Sequence, residues 1–313
     1  MRKIIIDTDP GQDDALAMMT AFGANKDLNV LGVTCVAGNV PLDLTSVNAL
    51  KICELSGFSS VPVFRGSPAP LKRKLITAEH VHGKTGLDGT DLSVKKKELE
   101  RTDAVDFIIE CTEKYRDEKI TICALGPLTN VAKVLKKDSV LTESIEEIVL
   151  MGGGFFEGGN ITPAAEFNIY VDPEAAKIVL ESGLKITMLP LDVTHKTLVQ
   201  RNFLEKLRKS GKNSAIQAAK LLDFFERYDV EKYGSQGGPL HDPNVIVYLL
   251  NPEIYSGRLV NVEVEVNSEL TRGMTVVDWW YVTDRLPNAY YINEVKENEF
   301  FETVLNNVLN LEI

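Results

Sequence analysis

KIIID (Lys3 to Asp7) is continuously apolar between its two charged ends, with no alternation of polar and apolar positions. A strand exposed on one face alternates, so a strand like this is covered on both faces, the condition of a parallel sheet layered between helices. KITICAL (Lys119 to Leu125) has the same character, and EEIVLM (Glu146 to Met151) and KITMLPLD (Lys185 to Asp192) add two more strands. Asn29 to Val36 and Val61 to Phe64 read as further strands. Helical spacing fills the gaps at Asp13 to Ala24, Leu42 to Leu55, Ala104 to Tyr115 and Pro173 to Leu180, and a helix opens at GPLTN with Pro127 near its first position. The expected fold class is α/β, a mainly parallel sheet flanked by helices.

The second half changes character. Asn202 to Arg227 carries one or two helices, a glycine-rich loop YGSQGGPLHDP follows, and Pro243 to Leu250 is expected to form a helix. VNVEVEV (Val260 to Val266) alternates strictly and predicts a half-exposed strand. TVVDWWY and AYYINEV predict two more, giving a C-terminal antiparallel extension closed by a helix over Glu299 to Leu309. No linker rich in Pro, Gly or Ser interrupts the chain, so residues 1–313 are expected to form one domain. The stretch from Arg65 to Glu100 is long and rich in Gly, Pro, His and Lys, which marks a functional loop.

Composition narrows the partners. A net charge of −11 argues against nucleic acid, which selects a basic footprint. No uncharged apolar run reaches the roughly 18 residues of a membrane span, and no leader precedes the first strand, so no membrane association is expected. Cys35, Cys53, Cys111 and Cys123 lack metal or redox spacing and sit in apolar stretches, as reduced buried thiols of a cytoplasmic protein would.

Ligands of open α/β sheets bind beyond the carboxyl ends of the strands, and the unusual polar residues collect there. Asp7 and Asp9 close the first strand, Gly38 and Asn39 follow the second, Leu125 and Gly126 close KITICAL, Met151 and three glycines close EEIVLM, and Asp192 closes KITMLPLD. Asp7, Asp9, Asp13 and Asp14 fall within eight residues. A cap and a lysine partner account for two carboxylates at most. Four in one pocket repel one another, and a hard divalent cation such as Ca²⁺ or Mg²⁺ relieves the repulsion. Gly11 allows a tight turn among them. Asn160, Glu166 and Asn168 offer amides and a carboxylate suited to sugar hydroxyls. His241 beside Asp242, and His82 in HVHGKTGLDG, are candidates for an acid or a ligand.

DTDPGQDDA at Asp7 to Ala15 resembles the N-terminal signature of the inosine–uridine nucleoside hydrolases. The resemblance continues through GN at Gly38, HG at His82, GPLTN at Gly126, VLMGGG at Val149, the Asn160–Glu166–Asn168 set and HDP at His241. It implies a Ca²⁺ held by Asp9, Asp14, Asp242 and the Leu125 carbonyl. It implies hydrolysis of the N-glycosidic bond of a ribonucleoside, with Asp9 activating a metal-bound water and His241 protonating the leaving base. Asp13, Asn39, Asn168 and Asp242 would grip the 2′ and 3′ hydroxyls, Asn160 and Glu166 the 5′ hydroxyl, and Met151 would pack on the sugar. His82 would stand near the base, and FFERYDVEKYGSQGG would form a flap bringing Tyr228 or Tyr233 over it. A homotetramer or dimer follows from the same resemblance. Pyrimidine nucleosides are the expected substrates, with purine-preferring or non-specific hydrolysis as the alternative.

Two rivals carry less. A phosphatase of the haloacid-dehalogenase type needs Thr or Val where Gly11 stands. A binding protein without turnover has no use for both Asp9 and His241.

Overall fold

The isoleucine run of the first strand is divided between two cores. In β1 (Arg2–Thr8), Ile4 and Ile6 enter one buried cluster while Ile5 enters the other. Successive side chains of a strand point to opposite faces, and all three are fully buried, so each face of β1 is covered. The computed structural model describes residues 1–137 and 143–311, the side chains of Asp229 and Tyr233 excepted.

Among the described residues eight strands form the main sheet: β1, β2 (Leu28–Cys35), β3 (Val63–Arg65), β4 (Ile120–Ala124), β5 (Ile145–Met151), β6 (Ile186–Leu189), β7 (Tyr255–Val260) and β10 (Ala289–Val295). Their order is β3-β2-β1-β4-β5-β6-β10-β7, parallel throughout except that β7 runs antiparallel to β10. β8 (Val262–Val264) and β9 (Thr275–Val277) form a separate antiparallel pair. One core packs helices Gln12–Gly23, Leu42–Leu55, Pro243–Leu250 and Glu297–Asn310 on its side of the sheet, and the other packs Ala104–Lys114, Thr129–Lys137 and Pro173–Leu180.

The chain winds outward from β1 through β2 to β3, then returns to β4 on the other side of β1. The adjacent carboxyl ends of β1 and β4 therefore diverge into a crevice, the usual ligand position in such sheets. Asp9 follows β1, and Leu125 directly follows β4.

The structure corrects several expectations. The expected C-terminal antiparallel strands are present as β7 against β10 and as the β8–β9 pair, and β10 additionally joins the main sheet parallel to β6. TVVDWWY is a strand only over Thr275–Val277, and Asn261 separates β7 from β8 inside the stretch read as continuous. β6 stops at Leu189 because Pro190 follows, which places Asp192 in a short helix, Leu191–Thr194. The segment read as a flap is largely helix. Asn213–Tyr233 continues unbroken through FFERYDVEKY, which contains no Gly or Pro, and ends where Gly234 takes a left-handed conformation (φ 65°). Among the described residues no helix is long and apolar enough to cross a membrane.

Candidate active site

Asp9, Asp13, Asp14 and Asp242 meet in the crevice, each at most 4 % exposed. The first three lie where β1 turns into helix Gln12–Gly23, and Asp242 immediately precedes helix Pro243–Leu250. Asp14 closes the turn on itself. Its Oδ2 accepts from the Gly11 N–H at 2.8 Å and the Asn39 amide at 3.1 Å, and its Oδ1 accepts from the Thr8 hydroxyl. Asp13 and Asp14 sit in the first helical turn, where the helix dipole favours negative charge.

Asp9 is held by the backbone of the second strand's loop, its Oδ2 accepting from the Asn39 N–H at 2.7 Å. Glycines make room for it on both sides. A Cβ on Gly38 would stand 2.0 Å from Asp9 Oδ2, and one on Gly126 2.1 Å from Oδ1.

Burial pushes all four carboxylates above their ordinary range. For Asp9 and Asp13 the next cause is the charge of Asp14, and for Asp242 it is Asp13 followed by Asp14 and Asp9. These groups cannot all ionise together without positive charge among them. Ligand atoms of Asp13, Asp14 and Asp242 lie within 4.8 Å of one another, and among the described residues the buried Asp13 Oδ1 has no hydrogen-bond partner. An all-oxygen donor set with an orphaned carboxylate oxygen fits a hard divalent cation. Asp9 is not one of that trio, and Asp7 stands apart. Asp7 accepts from Thr34 at 2.6 Å and Asn130 at 2.8 Å, with burial raising its pKa to about 6.

A cavity of about 520 Å³ opens over this group, lined by Asp13, Asn39, Leu125, Met151, Asn160, Glu166, Asn168 and Asp242 among others. The Asn168 amide donates to the Leu125 carbonyl at 2.7 Å and the Met151 carbonyl at 3.2 Å, joining the ends of β4 and β5. Glu166 caps the short helix Phe167–Val171 and ties it to the glycine turn, accepting from the N–H groups of Asn168, Ile169 and Gly153. Burial still raises its pKa to about 7. Asn160 accepts from the Phe167 N–H at 2.9 Å.

The remaining walls carry His80, His82, His195 and His241, all four histidines of the chain. Burial lowers the His82 pKa to about 3, and burial followed by the neighbouring His195 and His82 holds His241 well below the usual imidazole value. Helix Asn213–Tyr233 presents Phe225 and Tyr228 one turn apart. Phe225 stacks on His82 (centroids 5.6 Å) and Tyr228 meets His80 edge-on (5.5 Å). Tyr228 thus reaches the cavity, whereas the Tyr233 side chain lies outside the described residues.

Sequence reasoning missed Thr8, Gln12, Thr194, His195 and Phe225. Gln12 lies inside the signature, and Thr194 and His195 closely follow the strand that ends near Asp192. Their positions were the available signal.

A carboxylate pocket at the switch point of a parallel sheet, with imidazoles in the same lining, is the site of an α/β enzyme acting on a small polar molecule. The chain belongs to the family described as inosine-uridine preferring nucleoside hydrolase, whose model matches residues 4–302. It is similar to an uncharacterized protein of Schizosaccharomyces pombe, 47 % identical over 97 % of each chain. It is also similar to a pyrimidine-specific ribonucleoside hydrolase of Shewanella sp. (strain MR-7), 44 % identical over 98 % of this chain and 96 % of that one. Among solved structures, a purine-preferring ribonucleoside hydrolase from Gardnerella vaginalis superposes with a TM-score of 0.93 at 30 % identity, covering 99 % of both chains. The protein is a ribonucleoside hydrolase, cleaving the N-glycosidic bond of nucleosides.

Proposed function

We propose that the enzyme is calcium-dependent, prefers pyrimidine ribonucleosides and works as one domain over residues 1–313. The observation that carries this reading is that one cavity is lined both by the buried carboxylates Asp13, Glu166 and Asp242 and by all four histidines, which supports grip on a sugar and contact with a base within one bound molecule. Asp9, Asp14, Asp242 and the Leu125 carbonyl would hold the ion. When bound, Ca²⁺ supplies the positive charge that lets the carboxylates ionise side by side and makes an attacking water more acidic.

Asp9 takes the proton of that water as its oxygen bonds to C1′ and the bond from C1′ to the base nitrogen breaks. The base nitrogen receives a proton from His241. His241 gives that proton as an imidazolium and is left as the neutral imidazole; burial holds its pKa well below the usual value, so the cation is a stronger acid toward the departing base. Asp13, Asn39, Asn168 and Asp242 bind the 2′ and 3′ hydroxyls, Asn160 and Glu166 the 5′ hydroxyl, and Met151 packs beside the ring. Binding energy gathered on the ribose favours its flattening toward the oxocarbenium-like transition state. His82 and Tyr228 border the base.

Identity supports the pyrimidine preference: the pyrimidine-specific relative is 44 % identical and the purine-preferring one 30 %. The exposed apolar group of Leu259, Trp280, Val282 and Leu286 supports assembly with further copies, and four free buried cysteines suit a reducing cytoplasm.

Ribose release from uridine, cytidine, inosine, adenosine and guanosine tests the reading. Uridine and cytidine are expected to exceed the purines in kcat/KM by about ten-fold, a modest pocket discrimination. Equal or faster purine cleavage would overturn the preference, and no release from any of them would overturn turnover itself. His241→Ala is expected to slow uridine by about 100-fold or more while sparing a nitrophenyl riboside, whose leaving group needs no proton. Equal losses on both substrates would remove His241 as the acid.

A further inference from the structure

We propose that Gln12 and Thr194 are positioning residues that fix His82 and His241 in opposite tautomers. The cavity then presents one imidazole nitrogen as acceptor and one imidazole N–H as donor to the base.

The Gln12 amide is oriented by its own bonds. Its Nε2 donates to the His82 carbonyl at 2.9 Å and the Asp88 carbonyl at 3.1 Å. Carbonyls only accept, so the nitrogen end of the amide is fixed there and Oε1 is the end that meets His82 Nδ1 at 2.8 Å. An amide oxygen only accepts, so Nδ1 must carry the proton and Nε2 the lone pair. One face of the ring is covered by Phe225, and the Nδ1 edge lies close against Gly11, where a Cβ would stand 2.4 Å away. Nε2 is the nitrogen left to a ligand in the cavity that His82 lines. With a pKa of about 3 the ring is neutral, so this nitrogen remains an acceptor at working pH.

His241 is set the other way. The Thr194 side chain is fully buried, and its Oγ1 lies 2.8 Å from His241 Nδ1. Among the described residues Nδ1 is the acceptor this hydroxyl meets, and a buried hydroxyl with its hydrogen unpaired costs about 1–3 kcal/mol. The O–H therefore donates to Nδ1, and the imidazole proton stands on Nε2.

An acceptor beside a donor matches a base edge on which N–H adjoins a lone pair, as N3–H adjoins O2 in uracil. This consequence for substrate rests on the hydrolase reading of the cavity, but the tautomers do not. Proton–nitrogen correlation spectra of the calcium-loaded enzyme, labelled with ¹⁵N at its four histidines, test them directly. The expected result at neutral pH is His82 protonated at Nδ1 and His241 at Nε2. His82 protonated at Nε2, or His241 at Nδ1, would overturn the proposal in the unmodified protein. In Gln12→Leu, His82 is expected to move to the Nε2–H form that free imidazole favours, with a rise in KM for uridine larger than the fall in kcat. An unchanged His82 tautomer in that variant would remove Gln12 from the role. Failure of the hydrolase reading would show separately, as absence of ribose release.

Discussion

Asp9→Asn is expected to lower kcat on uridine by about a thousand-fold, the scale of a general base lost without other damage. The substitution preserves the fit. An asparagine oxygen still accepts from the Asn39 N–H, which Asp9 meets at 2.7 Å, and the side chain still passes between Gly38 and Gly126. It removes one of four mutually repelling charges, so the folded chain should melt no lower than the parent. It cannot accept a proton from water. Assays at saturating calcium separate lost proton transfer from weakened metal binding. A variant within ten-fold of the parent would take Asp9 out of the chemistry.

The readable part of this fold is the part built from unbroken apolar runs. KIIID and KITICAL declare covered strands, and the parallel sheet with helices on both faces follows from them. β7 was not readable, because YSGRLV places Ser, Gly and Arg at its centre and leaves much of its surface open, as an edge strand can. The parallel pairing of β10 with β6 joins residues about a hundred positions apart, and no local pattern encodes that choice. The helix through Tyr233 was legible in principle, since its first breaker is Gly234; the neighbouring glycine-rich loop obscured it.

The site divides similarly. The aspartates announce themselves by crowding, and strand ends locate Asn39, Leu125 and Met151. The partners of the histidines were hidden. Gln12 meets His82 across 70 positions and Thr194 meets His241 across 47. Neither partner has chemistry that marks it before the chain is folded. Within the signature, Gln12 looked like a spacer between charged residues, although its amide holds the loop that carries His82.

Removing calcium should expose the cost of the buried carboxylates, and the cost should grow with pH. In the metal-free fold Asp13, Asp14 and Asp242 titrate above their ordinary range, through burial and mutual repulsion. In the unfolded chain they return to about 4. Between those two values the folded state binds more protons than the unfolded one, so stability falls as pH rises through that window. Bound calcium would replace the missing protons, and the ionised groups would bind it best. The melting temperature of the chelated enzyme is therefore expected to drop as pH rises above about 4, the ordinary carboxylate value, while the loaded enzyme changes less. At a thousand-fold excess over Kd the ion stabilises by about 4 kcal/mol. For a chain of this size that corresponds to a shift on the order of 10 °C. Ribose release should vanish with chelation and return with calcium. The decisive quantity is the increment in melting temperature on adding calcium at each pH. If it were constant or shrank as pH rose, the aspartate cluster would not be where the ion binds.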